Sequence, residues 1–131
     1  MASNGFFSAL GAVYKGLRSS LARKGVNVGG TADFPRVEIH SIIESEWLDK
    51  DGLKRISCVV ECISDKRIAD VVEMNRENLY RMLEVGMNLD EGWKISGVVT
   101  GQAQEMTEAA EAQSIIYRLL QNMTIYVERI N

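Results

Sequence analysis

The order of apolar and polar positions along the chain predicts a helix near its beginning. Between residues 4 and 24, apolar side chains recur at the three- and four-residue spacing of one helical face. These side chains are Phe6, Phe7, Leu10, Val13, Tyr14, Leu17 and Leu21. The opposite face carries mostly small side chains, at Ser8, Ala12, Ser19 and Ala22. Small side chains permit close approach, so this face is interpreted either as a contact with a neighbouring subunit or as a solvated surface.

Alternating apolar and polar residues predict an antiparallel hairpin over 36–63. In the first strand Ile39 and Ile43 are placed on one side and His40 on the other, and only Ile42 interrupts the alternation. An Asp-Lys-Asp-Gly run between the two strands is typical of a tight turn. The second strand places one set of side chains on a single face, namely Ile56, Cys58, Val60 and Cys62.

A second helix and a second hairpin complete the predicted fold. The helix spans about 66–85, with Ser64 or the residue after it as N-cap and Gly86 as C-cap. The hairpin spans 93–129 and contains a mobile loop at 101–113. That segment has high helix propensity but no apolar stripe that would bury it, which favours a loop that becomes ordered on a partner.

Together these elements predict one α+β domain over residues 1–131. Their order is α-β-β-α-β-β. Two hairpins then form a four-stranded antiparallel sheet, and both helices pack on one face of it.

Charge is divided unevenly between the two ends of the chain. The formal net charge is −3, but residues 1–32 contain no Asp or Glu and carry +4. Lys15, Arg18 and Arg23 lie away from the predicted apolar face, so they are candidates for contact with an acidic surface of the next subunit or with DNA in a channel. The predicted loop supplies a second candidate contact, to a partner protein, through Glu105, Met106, Thr107, Glu108 and Glu111.

The sequence offers no arrangement that is typical of a catalytic or metal site. His40 is the only histidine, which excludes a multi-histidine metal site, and we expect it on a solvated strand face. Cys58 and Cys62 fit no zinc pattern and are interpreted as buried apolar residues. Three carboxylates on one strand face favour a solvated or interface surface over a metal site: Glu38, Glu44 and Glu46. We therefore expect no enzyme activity and no cofactor.

No apolar run has the length of a transmembrane helix, and the first residues lack the pattern of a signal peptide. We therefore expect a protein that is made in the cytoplasm and has no membrane partner.

Three segments resemble the tail-terminator and tail-completion proteins of long-tailed bacteriophages. The first is a phenylalanine-proline entry into a strand after a glycine-containing connector, at 32–37. The second, at 59–65, is a strand that runs directly into a helix. The third is the aromatic-polar pattern of the last strand, at 117–127. The resemblance is one of pattern and covers nearly the whole chain.

This resemblance implies a structural virion protein that assembles in the bacterial cytoplasm. It would form a ring, usually a hexamer or larger, at the junction of head and tail. There it would contact other tail or connector proteins and surround the DNA channel. Two other functions stay open at this point: a non-catalytic scaffolding subunit of a cellular complex, and a small nucleic-acid-binding module.

Overall fold

The structure, a computed structural model, describes residues 8–29, 33–46, 53–89, 92–109 and 115–130. Its helices are α1 (Ala9–Leu21) and α2 (Ile68–Leu79), and a π-helical segment, Tyr80–Val85, continues α2. Its strands are β1 (Asn27–Val28), β2 (Arg36–Glu46), β3 (Leu53–Ser64), β4 (Trp93–Ala109) and β5 (Ile115–Arg129). The predicted helix start at residue 4 and the predicted turn at 49–52 lie outside the described residues.

The predicted four-stranded antiparallel sheet was wrong, because the sheet is five-stranded and mixed. The strand order is β1-β2-β3-β5-β4. The extra strand β1 lies in the glycine-containing connector and pairs parallel to β2, with Asn27 opposite Arg36. Its two residues are too few to show an alternation, so the sequence pattern gave no sign of a strand there.

A bulge in β2 reverses the facing that strict alternation predicted. The register with β3 shifts between His40 and Ile43, and Ser41 has a positive φ of 56°. As a result Ile42 packs against the core, whereas Ile43 is 65% exposed. An inserted residue moves every later side chain to the other face, so the adjacent isoleucines mark the position of the bulge.

The buried face of α1 is rotated from the predicted one. Ala12 and Gly16 are buried, whereas Tyr14 is 36% exposed. A Cβ atom at Gly16 would lie 2.7 Å from a methyl carbon of Leu89. The small residues therefore permit close packing inside this chain, and the interpretation of this face as a subunit contact was wrong for Ala12.

The N-terminus of α2 is held by a side-chain network, whereas its N-cap residue, Arg67, makes no capping bond. The Ser64 hydroxyl donates to Asp70 and accepts from the backbone N–H of Lys66. At the other end the helical region stops at Gly86, which has a φ of 90°. Ser64 thus acts as a link between β3 and α2.

The core lies between the helices and one face of the sheet. α1 packs on β2 and β3, whereas α2 packs on β3 and β5. Val60, Ile125 and Val127 are fully buried there. Helix α2 also makes polar contacts to the sheet, because Asn78 donates to Cys62 Sγ at 3.2 Å and Asn75 donates to Gln121 at 3.2 Å.

The prediction of a mobile loop at 101–113 was wrong for residues 101–109, which form part of a strand. Strand β4 continues to Ala109, which pairs with Ile115 across the hairpin. The ladder to β5 supplies the backbone hydrogen bonds that a helix would otherwise make, so local helix propensity does not decide the structure. An edge strand also needs no apolar stripe when its side chains face solvent.

Candidate functional site

Two of the three predicted basic residues are exposed on α1. Lys15 and Arg18 both lie on the outer surface of the helix. The Arg18 guanidinium makes long contacts, to the Tyr14 hydroxyl at 3.4 Å and to the Val28 carbonyl at 3.5 Å. Lys24 is exposed just beyond the helix. Because α1 packs at the β1–β2 side of the sheet, these cations form a positive surface on that side.

The third predicted basic residue, Arg23, is tied into the fold. Its guanidinium donates to the Leu21 carbonyl and to Asn78 Oδ1, each at 2.9 Å, and to the Met74 carbonyl at 3.4 Å. Burial lowers the pKa of Arg23, and the nearby Arg81 lowers it further. Arg23 therefore joins the end of α1 to α2, and the structure does not bring it together with Lys15 and Arg18 as one surface.

The predicted partner-contact residues lie on the far edge of the sheet. Glu105, Met106, Thr107 and Glu108 belong to β4, and all of them are exposed. Glu111 lies outside the described residues. No described strand pairs with the outer side of β4, so up to 17 residues present backbone groups at an open edge. Such an edge can accept a strand from another chain.

The opposite edge of the sheet is also largely open. Strand β1 covers β2 only at Arg36 and Val37, and no other described strand covers the remainder of β2. Beside this edge Ile43 is exposed. The sheet therefore has two accessible edges on opposite sides of the molecule. The pairing of β4 with β5 shifts register twice, and each shift is a β-bulge of the kind that natural edge strands commonly contain.

A row of charged side chains crosses the face of the sheet opposite the helices. Glu61 is only 6% exposed, and its carboxylate accepts from His40 Nε2 and from Arg118 Nη1, each at 2.7 Å. Arg118 also donates to Glu108 at 2.9 Å, and these carboxylates raise its pKa. The row joins β2, β3, β5 and β4, so its charges are largely compensated within the chain.

Sequence reasoning missed Glu61 and Arg118 and placed His40 on a solvated face. A usable signal was present, because Glu61 is the only charged residue between Val59 and Ile63 in a central strand. A carboxylate that is buried in such a strand requires hydrogen-bond donors from its neighbours. His40 is one of those donors.

The described residues hold no arrangement that suggests a reaction. Burial raises the pKa of Cys58 to about 11 and that of Cys62 to about 12, so both thiols are protonated at neutral pH. Glu38 pairs with Arg36, whereas Glu44 accepts from the N–H of Leu10 on α1, so these carboxylates do not converge. Within the described ranges there is no cluster of three metal-binding side chains.

A shallow depression of about 370 Å³ crosses the middle of the sheet. Its lining consists mainly of small neutral side chains: Ser41, Ser57, Cys58, Val59, Val99, Gly101, Asn122, Met123 and Thr124. None of them is a base or a charged group. In the part of the chain that the structure describes, no helix has the length and apolar character needed to cross a membrane.

Comparison with known proteins shows a likeness of fold. No protein-family model matches the sequence, and no curated protein matches it at a significant level. Among solved structures, a chain of the "virion of native gene transfer agent (GTA) particle" is similar over 92% of this chain and 95% of its own length, with a TM-score of 0.64. The sequence identity is 17%. At that identity the likeness is one of fold.

Proposed function

We propose that this protein is a structural component of a phage-type virion and that it forms a ring where head and tail meet. The observation that carries the proposal is the fold likeness to a virion chain, which extends over nearly the full length of both chains. The pattern resemblance to tail-terminator and tail-completion proteins supports the finer assignment to the head-tail junction.

The open sheet edges support self-assembly. A long edge strand is an aggregation hazard unless it is blunted or used. Apart from its two bulges, β4 carries only one lysine, Lys94, which pairs with Glu128. Apolar side chains are exposed along the same hairpin, at Val99, Met106 and Ile115. An edge with exposed apolar groups is suited to pairing with another protein chain.

The charges of the structure favour protein partners over DNA. On the helix-free face, Arg36 and Arg118 are both bound to carboxylates of the same chain. A DNA-binding face instead needs cations that remain available to phosphates. Lys15, Arg18 and Lys24 are exposed on or near α1, and residues 8–29 contain no Asp or Glu. Those cations are therefore the place at which DNA contact is to be tested.

Native mass spectrometry of the purified protein, followed by negative-stain electron microscopy, tests the proposal. We expect a single closed oligomer of six or more 14.6-kDa subunits, with a central opening. A protein that stays monomeric at high concentration, alone and with tail or connector proteins present, would refute the ring.

A variant with Lys15→Gln and Arg18→Gln separates the two uses of the positive surface. If these residues contact a neighbouring subunit, the variant forms weaker oligomers and keeps its fold. If they contact DNA, the oligomer persists, but retardation of duplex DNA disappears, and wild-type binding falls steeply with salt.

A further inference from the structure

Opposite charge lies on the two opposite sides of the sheet. The distal half of β4, residues 101–109, contains Glu105 and Glu108 and no Lys or Arg. We call it the acidic edge. The exposed cations Lys15, Arg18 and Lys24 lie at the other side, beside β1 and β2. We call these three residues the basic flank.

Both surfaces also offer an apolar side chain next to the charges. On the acidic edge Met106 is 43% exposed. Beside the basic flank the Tyr14 ring is exposed, and the Arg18 guanidinium lies 5.8 Å from its centre. Charged groups around an exposed apolar or aromatic side chain are typical of protein interfaces.

The two carboxylates of the acidic edge are held differently. Glu108 is bound to Arg118 of the same chain, whereas Glu105 lies on the opposite face of β4, because its partner in the ladder is Leu119. Leu119 faces the helix side of the sheet. Glu105 therefore points to the side of the sheet on which α1 lies, which is the side on which a neighbour's α1 would approach.

Neither surface is complementary to itself. An acidic edge against a second acidic edge, or a basic flank against a second basic flank, brings like charges together, which is unfavourable. A twofold dimer through either surface is therefore disfavoured. The remaining arrangement is head to tail, and head-to-tail contacts form a ring when the rotation between subunits closes.

We propose that the acidic edge of one copy docks on the basic flank of the next copy, with Glu105 facing Arg18 across the contact. This inference rests on the proposed ring function and deepens it by naming the two surfaces that meet. Thr107, which lies on the same face of β4 as Glu105, is next to Tyr14 in this contact, and the open backbone of β4 runs along the β1–β2 side of the neighbour.

Two charge-reversal variants test the contact. The flank variant carries Arg18→Glu and Lys24→Glu, whereas the edge variant carries Glu105→Lys and Thr107→Lys. Each alone places like charges across the interface, so we expect each to assemble only at a concentration about a hundredfold above that of the wild type. Mixed in equal amounts, the two variants restore attraction at both contacts. We therefore expect mixed oligomers that contain both variants in equal numbers.

The matched control is Glu73→Lys, because Glu73 is exposed on α2 and belongs to neither surface. It should assemble like the wild type. Circular dichroism establishes that each variant is folded, and all substituted side chains are exposed. A chain with Arg18→Cys and Glu105→Cys provides a second measurement, since Cys58 and Cys62 are buried. Oxidation should join neighbouring copies through the new cysteines.

The outcomes separate this inference from the proposed function. If both reversal variants keep the wild-type mass, or if their mixture fails to assemble and no disulfide joins copies, the inference is overturned while the ring remains. If the wild type itself is monomeric under all conditions, the proposed ring falls and this contact falls with it.

Discussion

Replacement of Arg23 by Met should destabilise the fold. Arg23 reaches across from the end of α1 and donates to Asn78 Oδ1 at 2.9 Å. Asn78 is fully buried, at 0% exposure, and its amide nitrogen already donates to Cys62. A methionine keeps most of the aliphatic length but has no donor. The substitution therefore leaves the Asn78 oxygen without its charged partner.

The magnitude follows from the bonds that are lost. A hydrogen bond to a charged group contributes about 1.5–3 kcal/mol, and a buried acceptor left without a donor costs about 1–3 kcal/mol. Part of this loss is offset because the guanidinium itself is desolvated, as its lowered pKa indicates. We expect a net loss of about 2–3 kcal/mol in the free energy of unfolding. This corresponds to a urea midpoint lower by about 1–2 M.

Urea unfolding, followed by circular dichroism at a low protein concentration, measures this change. The matched control is Arg76→Met, because Arg76 is exposed on α2. It should change the free energy of unfolding by less than about 0.5 kcal/mol. An Arg23→Met protein as stable as the control would contradict the structural role. If that protein also failed to assemble, Arg23 would belong to the subunit contact that its sequence position suggested.

Three further substitutions test other parts of the fold. Gly16→Ala should lower stability although alanine has the higher helix propensity, by about 1 kcal/mol. The new methyl group would meet a methyl carbon of Leu89 at 2.7 Å and the backbone carbonyl oxygen of Asn88 at 3.2 Å. A stabilised variant in urea unfolding would refute the close packing. Glu61→Leu should leave His40 and Arg118 without the buried carboxylate that they share and lower the unfolding free energy by about 1–3 kcal/mol, and an unchanged urea midpoint would contradict this. The Arg67 guanidinium lowers the pKa of Asp70 in the folded protein. The ionised carboxylate therefore stabilises the fold above the pKa of Asp70 in the unfolded chain, about 3.9. This stabilisation is lost as the pH falls through the lower pKa of Asp70 in the folded protein. The difference in stability between wild type and Asp70→Asn should therefore shrink between pH 7 and pH 3, and a constant difference would exclude the effect.

Periodicity predicted the long elements because their burial follows the helical and strand repeats. It failed where a short or small feature decides the structure. Strand β1 has two residues, and the bulge in β2 appears in the sequence only as two adjacent isoleucines. In α1, Gly16 faces the core because the 88–89 segment packs tightly against it, and Ala12 is buried one turn away on the same face, whereas the larger Tyr14 is exposed. A hydrophobicity scale that is weighted by side-chain size cannot predict that Ala12 and Gly16 are buried while Tyr14 is exposed.

The candidate surfaces were predictable only in part. The exposure of Lys15 and Arg18 follows from their position on a helix whose other side is apolar. The role of Arg23 could not be predicted from helical spacing, because its partner Asn78 lies 55 residues away in the sequence. The exposure of residues 105–108 was expected, but their strand conformation depends on pairing with β5. Such non-local pairing overrides helix propensity.

Locating the protein in purified particles tests most directly whether it is a structural part of a phage-type virion. Particles from cells that produce this chain are labelled with a specific antibody coupled to gold and imaged by electron microscopy, and the copy number per particle is measured by quantitative mass spectrometry. We expect one labelled position per particle, at the junction of head and tail, with the copy number of a single ring. Purified particles that lack the protein, while the surrounding lysate contains it, would contradict the proposed function.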